Sequence, residues 1–181
     1  MNRSIAALAI ALTLGAAAQP RDAPPAQQAP SVAGAEANRT AGNPRQTEFL
    51  LDALRASLAE ARMGELAAQQ SDDARVRDYG TKLKRDHTAH AAEIGRLLAP
   101  LGVPIPAEPS AEALAQLAAL TRLTGKEFDA AFVQQMIWAH TDAIDKYGAQ
   151  TQANPDRSSH DFASQSLPML REHLAAAESL R

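Results

Sequence analysis

The stretch from 100 to 109 holds Pro100, Gly102, Pro104, Pro106 and Pro109, and no regular helix survives such a run. Proline fixes φ and removes a backbone donor, so the chain has to be read as two blocks joined by a long, irregular connection. On both sides of that connection the apolar residues recur at spacings of three, four and seven, the period of a helix with one buried face. The chain's 4 % aromatic content suits closely packed helices better than strands.

Within the first block, Asn43-Pro44 offers a good cap followed by proline at the first helical position, which predicts a helix over 44–70. A turn near Ser71, with Ser71 as cap, leads into a second helix over 72–99. A short helix over 111–123, capped by Ser110, lies inside the connection. The second block opens at Thr124, where Thr124 and Glu127 have capping-box spacing, and its first helix is predicted over 124–152. Asn154-Pro155 repeats the cap chemistry of Asn43-Pro44 and starts a last helix to the C-terminus, with a kink expected at Pro168. Shifting the chain by 83 positions lays Phe49 on Phe132, Asp78-Tyr79 on Asp161-Phe162 and His90 on His173, as two similar hairpins would. Two tight helical hairpins joined by one long crossover is the connectivity of a ferritin-like four-helix bundle, an all-α fold.

Ahead of the bundle, Arg3, the apolar run from Ile5 to Leu14 and the small residues Ala16-Ala17-Ala18 have the layout of a signal peptide over 1–18. The apolar run is about ten residues, well short of the roughly 20 needed to span a bilayer. Residues 19–43 carry Pro20, Pro24, Pro25 and Pro30 with almost no large apolar side chain, and read as a disordered linker to a domain over 44–181. An exported protein with no cysteine has no disulfides and no thiolate ligands. Its formal charge of −3 and the lack of a basic run argue against nucleic acid and against a polybasic membrane surface. No later segment reads as a membrane span. The sequence names no partner; envelope partners and further copies of the chain are both compatible with it.

Chemistry enters through the helical faces. In the second helix, Val76, Tyr79, Leu83, His87, His90, Ile94, Leu97 and Leu98 make one stripe, while Lys82, Lys84, Arg85 and Arg96 fall elsewhere. The third long helix aligns Asp129, Val133, Met136, His140, Ala143, Ile144 and Tyr147. The fourth aligns Phe162, Ala163, Ser166, Leu170, His173, Leu174 and Ala177. The first offers Phe49, Ala53, Ala56, Glu60, Gly64 and Ala67, small residues that let a neighbouring helix approach closely. Of five histidines, four therefore face inward and only His160 is peripheral. Trp138 lies off its helix's stripe and is expected to pack under the crossover.

Buried polar groups without partners cost a few kcal/mol each, so these side chains must meet one another or an ion. Imidazole and carboxylate donors from facing helices are how bundles hold iron, zinc, copper or manganese. The candidate ligands are Glu60, His87, His140 and His173, with His90 in reserve. The other reading is a structural or interaction bundle without metal, its histidines hydrogen-bonded within the core. No serine or glycine-loop motif points to hydrolysis, and no residue is assigned a catalytic role. The di-iron Glu-x-x-His pattern is missing, because Lys84, His87, Ile137 and Leu170 stand three residues before His87, His90, His140 and His173. A ferroxidase is not supported. Folding each hairpin about its turn places His87 opposite Ser57, a turn away from Glu60, and His140 opposite Pro168, more than a turn from His173.

The run from Phe49 to Leu98, with Glu60-Ala-Arg-Met-Gly-Glu-Leu-Ala and Arg85-Asp86-His87, resembles an exported bacterial ferritin-like family built on a domain of unknown function, family 4142. Leu101-Gly-Val-Pro-Ile-Pro, Gly125-Lys-Glu-Phe-Asp129, Met136-Ile-Trp-Ala-His140 and Leu167-Pro-Met-Leu-Arg-Glu-His-Leu174 extend the resemblance over nearly the whole domain. It implies a helical bundle and a periplasmic or envelope location. The family's motifs fall on Glu60, His87, His140 and His173, one per long helix, and His90 stands where an asparagine-like residue is expected.

Overall fold

The computed structural model describes residues 43–153 and 157–181. The expected signal peptide, all but the last residue of the expected linker, and the cap at Asn154-Pro155 lie outside them. Four long helices make the fold: α1 (Pro44–Gln70), α2 (Ala74–Leu98), α4 (Gly125–Ala153) and α5 (Arg157–Glu178), with the short α3 (Ala111–Leu120) between the pairs. No strand occurs among the described residues. Helix α1 packs along α2 and α4 along α5, and the hairpins close through α1 against α4 and α2 against α5. Helix α3 lies across α1 and α4.

Local chemistry sets the ends. Asn43 Oδ1 accepts from the backbone N–H of Arg45 at 3.0 Å, with Pro44 at the first helical position, as the sequence predicts. Helix α2 starts two residues later than expected and is capped by Asp73, not Ser71: Asp73 Oδ1 accepts from Arg75 N–H at 2.8 Å. Ser71 ends α1 instead, and its hydroxyl donates to Asp129 Oδ1 at 2.5 Å, tying the turn to α4. Helix α3 stops at Leu120, not 123, because Arg122 and Leu123 close onto the carbonyls of Ala119 and Leu120 in a tighter turn. The capping box at Thr124 and Glu127 does not form: Gly125 adopts φ 55°, which turns the chain left-handed where the box would sit. Helix α5 continues through Pro168.

The small-residue face of α1 meets its counterpart on α2 at Gly64 and Gly80. A Cβ on either glycine would lie 2.6 Å from the carbonyl oxygen of the other, so the two backbones touch. The buried face of α1 passes through Ser57 rather than Ala56, which is exposed beside a groove. Trp138 is not covered by the crossover either; it is 58 % exposed at the edge of that groove.

The core has two apolar halves. One gathers Met63, Leu83, Phe128, Phe132 and Met136 near the α1–α2 turn. The other gathers Leu50, Ile94, Leu98, Phe162 and Leu170 at the opposite end. Glu60, His87, His140 and His173 fall between the two in sequence on every long helix, and all four are buried. The bundle thus carries a polar layer at mid-height.

Candidate metal centre

Each long helix contributes one side chain to this layer, at the position where its stripe passes the bundle centre. Glu60 Oε2 lies 3.0 Å from His87 Nε2 and 3.1 Å from His140 Nε2. One ring nitrogen from each of His87, His140 and His173 lies within 4.8 Å of the others. The ring centroids of His87, His140 and His173 are 5.1 to 5.6 Å apart. The expected separation of a turn or more between His87 and Glu60, and between His140 and His173, is therefore corrected. Helical side chains lean toward the N-terminus of their own helix. In an antiparallel hairpin the two leans run opposite ways, so the tips that meet are about three positions beyond the pair whose backbones are level. Hence Gly64 lies level with Gly80, while Glu60 meets His87 and Ser57 meets His90.

These atoms converge without satisfying one another. Glu60 Oε2, both nitrogens of His87, His140 Nε2 and His173 Nδ1 are buried and make no aligned hydrogen bond. The outer partners explain which nitrogens remain. His140 Nδ1 is 2.8 Å from the Met136 carbonyl oxygen, which can only accept, so Nδ1 carries the proton and Nε2 presents a lone pair. His173 Nε2 is 3.0 Å from Asp86 Oδ2, so it donates there and leaves Nδ1 as the free donor atom. A carboxylate or carbonyl behind the imidazole is the usual way a protein orients a metal-ligating histidine.

Electrostatics agree with the geometry. Burial pushes the imidazoles of His140 and His173 toward the neutral form, His173 down to about 4 even though its bond to Asp86 opposes the shift. Burial alone would raise the carboxyl of Glu60, but attraction to the positive charge that His87 and His140 carry when protonated outweighs it and lowers that group to about 2. Asp86 likewise resists burial and stays well below the usual carboxylate range, through Arg85, His173 and Lys82. At neutral pH, Asp86 has cations beside it. With His140 and His173 in their neutral forms, the attraction that keeps a buried Glu60 ionised has to come from another positive charge in the layer.

The donor set fits a four-coordinate ion of three nitrogens and one oxygen. An ion bonded at about 2.0–2.1 Å holds tetrahedral donors roughly 3.3–3.4 Å apart. The 3.0 and 3.1 Å oxygen–nitrogen separations and the 4.8 Å limit among the nitrogens bracket that spacing, so small side-chain shifts suffice.

His90 is not brought into this group. Its Nδ1 is 2.9 Å from Ser57 Oγ and its Nε2 is 2.9 Å from Ser166 Oγ. The Ser166 hydroxyl donates to the Phe162 carbonyl at 2.8 Å, so it accepts from His90 Nε2–H, and Ser57 donates to Nδ1. The ring also stacks on Phe162 at 5.0 Å. His90 is a satisfied core histidine. His160 is peripheral, beside Asp161 at 3.1 Å. Sequence reasoning missed Asp86, whose signal was an acid directly before an inward histidine, with Lys82 and Arg85 beside it. It also missed the two serines that satisfy His90.

An all-helical, ferritin-like bundle with a buried imidazole–carboxylate layer is the class of protein that fold and geometry define. The chain belongs to the DUF4142 family, a domain of unknown function, whose profile matches residues 31–180. It is similar in fold to the crystal structure of a DUF305 fragment from Deinococcus radiodurans, with TM-score 0.68 and 16 % identity over 77 % of this chain and 96 % of that one. It is also similar to the dodecameric thioferritin of Bacteroides fragilis, a bacterioferritin-related protein, with TM-score 0.56 and 19 % identity over 81 % of this chain and 92 % of that one. No curated protein matches the chain in sequence.

Proposed function

We propose that this protein binds one transition-metal ion in the polar layer, through Glu60, His87, His140 and His173, and does so in the bacterial cell envelope. The observation that carries the metal reading is the set of buried donor atoms on all four long helices that face one another without hydrogen bonds. Three imidazoles with one carboxylate suit zinc, copper or iron better than manganese, which prefers oxygen-rich sites. The role this supports is holding or sensing an ion. The envelope location is supported by Arg3, the Ile5–Leu14 run and Ala16-Ala17-Ala18.

The test is to express the full chain untagged in a bacterium and purify it from the periplasmic fraction. N-terminal sequencing should begin at Gln19, and elemental analysis should find about one metal ion per chain. Thermal unfolding with and without chelator should differ, because an ion at 100 times its dissociation constant stabilises the fold by about 2.7 kcal/mol. Retention in the cytoplasm with an intact leader would sink the location. Metal-free protein whose melting ignores both chelator and added zinc, copper or iron would sink the site.

A further inference from the structure

A cavity of about 350 Å³ opens between α1, α3 and α4. It belongs partly to the site already described, because Glu60 lines it, while His87, His140 and His173 do not. Glu60 is also the most exposed of the four, at 6 % against 1 % for His87 and 0 % for His140 and His173. The layer therefore has one side that faces a groove, and the carboxylate occupies that side.

The groove exists because its walls are built from small residues. Ala53, Ala56 and Ala59 line it from α1, and Ala139 and Ala143 from α4. Where α4 needed bulk to close the gap it has Trp138, which turns outward. A water occupies roughly 30 Å³ in the liquid, so the groove has room for several waters, enough for a partly hydrated ion. Its charged lining comprises Asp52, Arg55, Glu60, Glu112, Asp142 and Lys146. Asp52 pairs with Arg55 at 3.3 Å and Asp142 with Lys146 at 2.7 Å. Glu112 and Glu60 are left to set its potential, which favours a cation.

We propose that this groove is the entry port of the metal layer: a divalent cation passes between α1 and α4, meets the Glu60 carboxylate first, and is then taken by the three imidazoles. The inference rests on the metal reading of the layer and adds the route. A port alters how fast an ion arrives and leaves but not the stability of the bound state, so narrowing it slows both rates by one factor.

Ala56→Trp and Ala139→Phe narrow the groove from opposite walls, and the exposure of Ala56 lets the first fold without repacking the core. The probe is Co(II) alone, added to the full chain: its visible absorption reports coordination, stopped-flow mixing gives uptake, and transfer to excess chelator gives release. Gln165→Lys, on exposed α5 surface outside the groove, is the control. Both narrowed variants should take up and release cobalt at least tenfold more slowly than wild type, with the dissociation constant unchanged within about twofold and the control unaffected. Cobalt bound at wild-type rates in a folded Ala56→Trp, or weakened binding with uptake unchanged, would overturn the port. If wild type binds no cobalt, zinc, copper or iron, the metal reading itself fails, a result distinct from either of those.

Discussion

Two histidines in the same stripe of α2 have opposite roles, and the difference lies in their partners. His87 has both ring nitrogens buried without an aligned hydrogen bond, Nε2 facing the Glu60 carboxylate at 3.0 Å, whereas His90 has both engaged by serine hydroxyls. Removing His140 or His87 with alanine should therefore abolish the stabilisation that added metal gives. His90→Gln should lose about 1–3 kcal/mol of fold stability through its buried hydrogen bonds, yet keep the full metal-dependent increment. Thermal melts of the variants with and without metal check both statements, and loss of the increment in His90→Gln would break the distinction. Helical period alone made four inward histidines and Glu60 legible in the sequence. It could not separate ligand from core histidine, since only the tertiary contacts show Ser57 and Ser166 reaching the two nitrogens of the His90 ring. Asp86 was hidden for a related reason: it lies off the stripe, and only the approach of α5 brings His173 to its carboxylate.

At the scale of helices, the α1–α2 pair is drawn together by glycines, whose contact lies about one turn along α1 from Glu60 and about two turns along α2 from His87. Helical glycine is disfavoured by about 0.8–1.0 kcal/mol against alanine, so a glycine kept in a helix needs a local reason. Gly80 has one: a Cβ there would meet Gly64 O at 2.6 Å and Ala68 N at 2.8 Å, both backbone atoms that cannot turn aside. Gly95 in the same helix has no such reason, because a Cβ there would meet nothing within 4 Å. Gly80→Ala should destabilise by about 1–3 kcal/mol of overpacking and weaken metal binding by prising Glu60 from His87. Gly95→Ala should gain up to about 1 kcal/mol. Urea unfolding of the two variants decides it, and a Gly80→Ala protein as stable as wild type would refute the close contact. Proline, caps and periodicity made the long helices of this architecture legible to within a few residues. Folding about Ser71 gave the backbone register of the first hairpin, since the expected Ser57–His87 pair and the observed Gly64–Gly80 pair share it, but which side-chain tips meet was not legible, because that depends on the lean of side chains along each helix. The failed Thr124 box shows the same limit: a spacing of three cannot foresee the left-handed Gly125 beside it.

For the molecule as a whole, placing a titratable layer between two apolar half-cores makes stability a function of pH. His90 and His173 are held at about 4, with burial the chief cause, while their unfolded counterparts titrate near 6.5. The folded state thus binds fewer protons than the unfolded chain throughout that interval. Stability due to these imidazoles is fully present above about 6.5 and is lost as pH falls toward 4. Glu60 acts lower down: held at about 2 against an ordinary 4.5, it withdraws its contribution only below 4.5. Between 6.5 and 4.5 the histidines act without it. For His90 the difference amounts to about 2 kcal/mol at pH 5, and His173 adds in the same direction. Chelator-treated protein should therefore lose a few kcal/mol between pH 7.5 and pH 5, read as a lower urea midpoint at constant slope. Metal-loaded protein should resist until protons compete for the imidazole lone pairs, and then fall more steeply, because release of the ion and protonation of its ligands occur together. A metal-free protein with the same urea midpoint at both pH values would mean that the layer is open to water and its histidines charge in place, and neither the neutral imidazoles nor the site they form would survive that result.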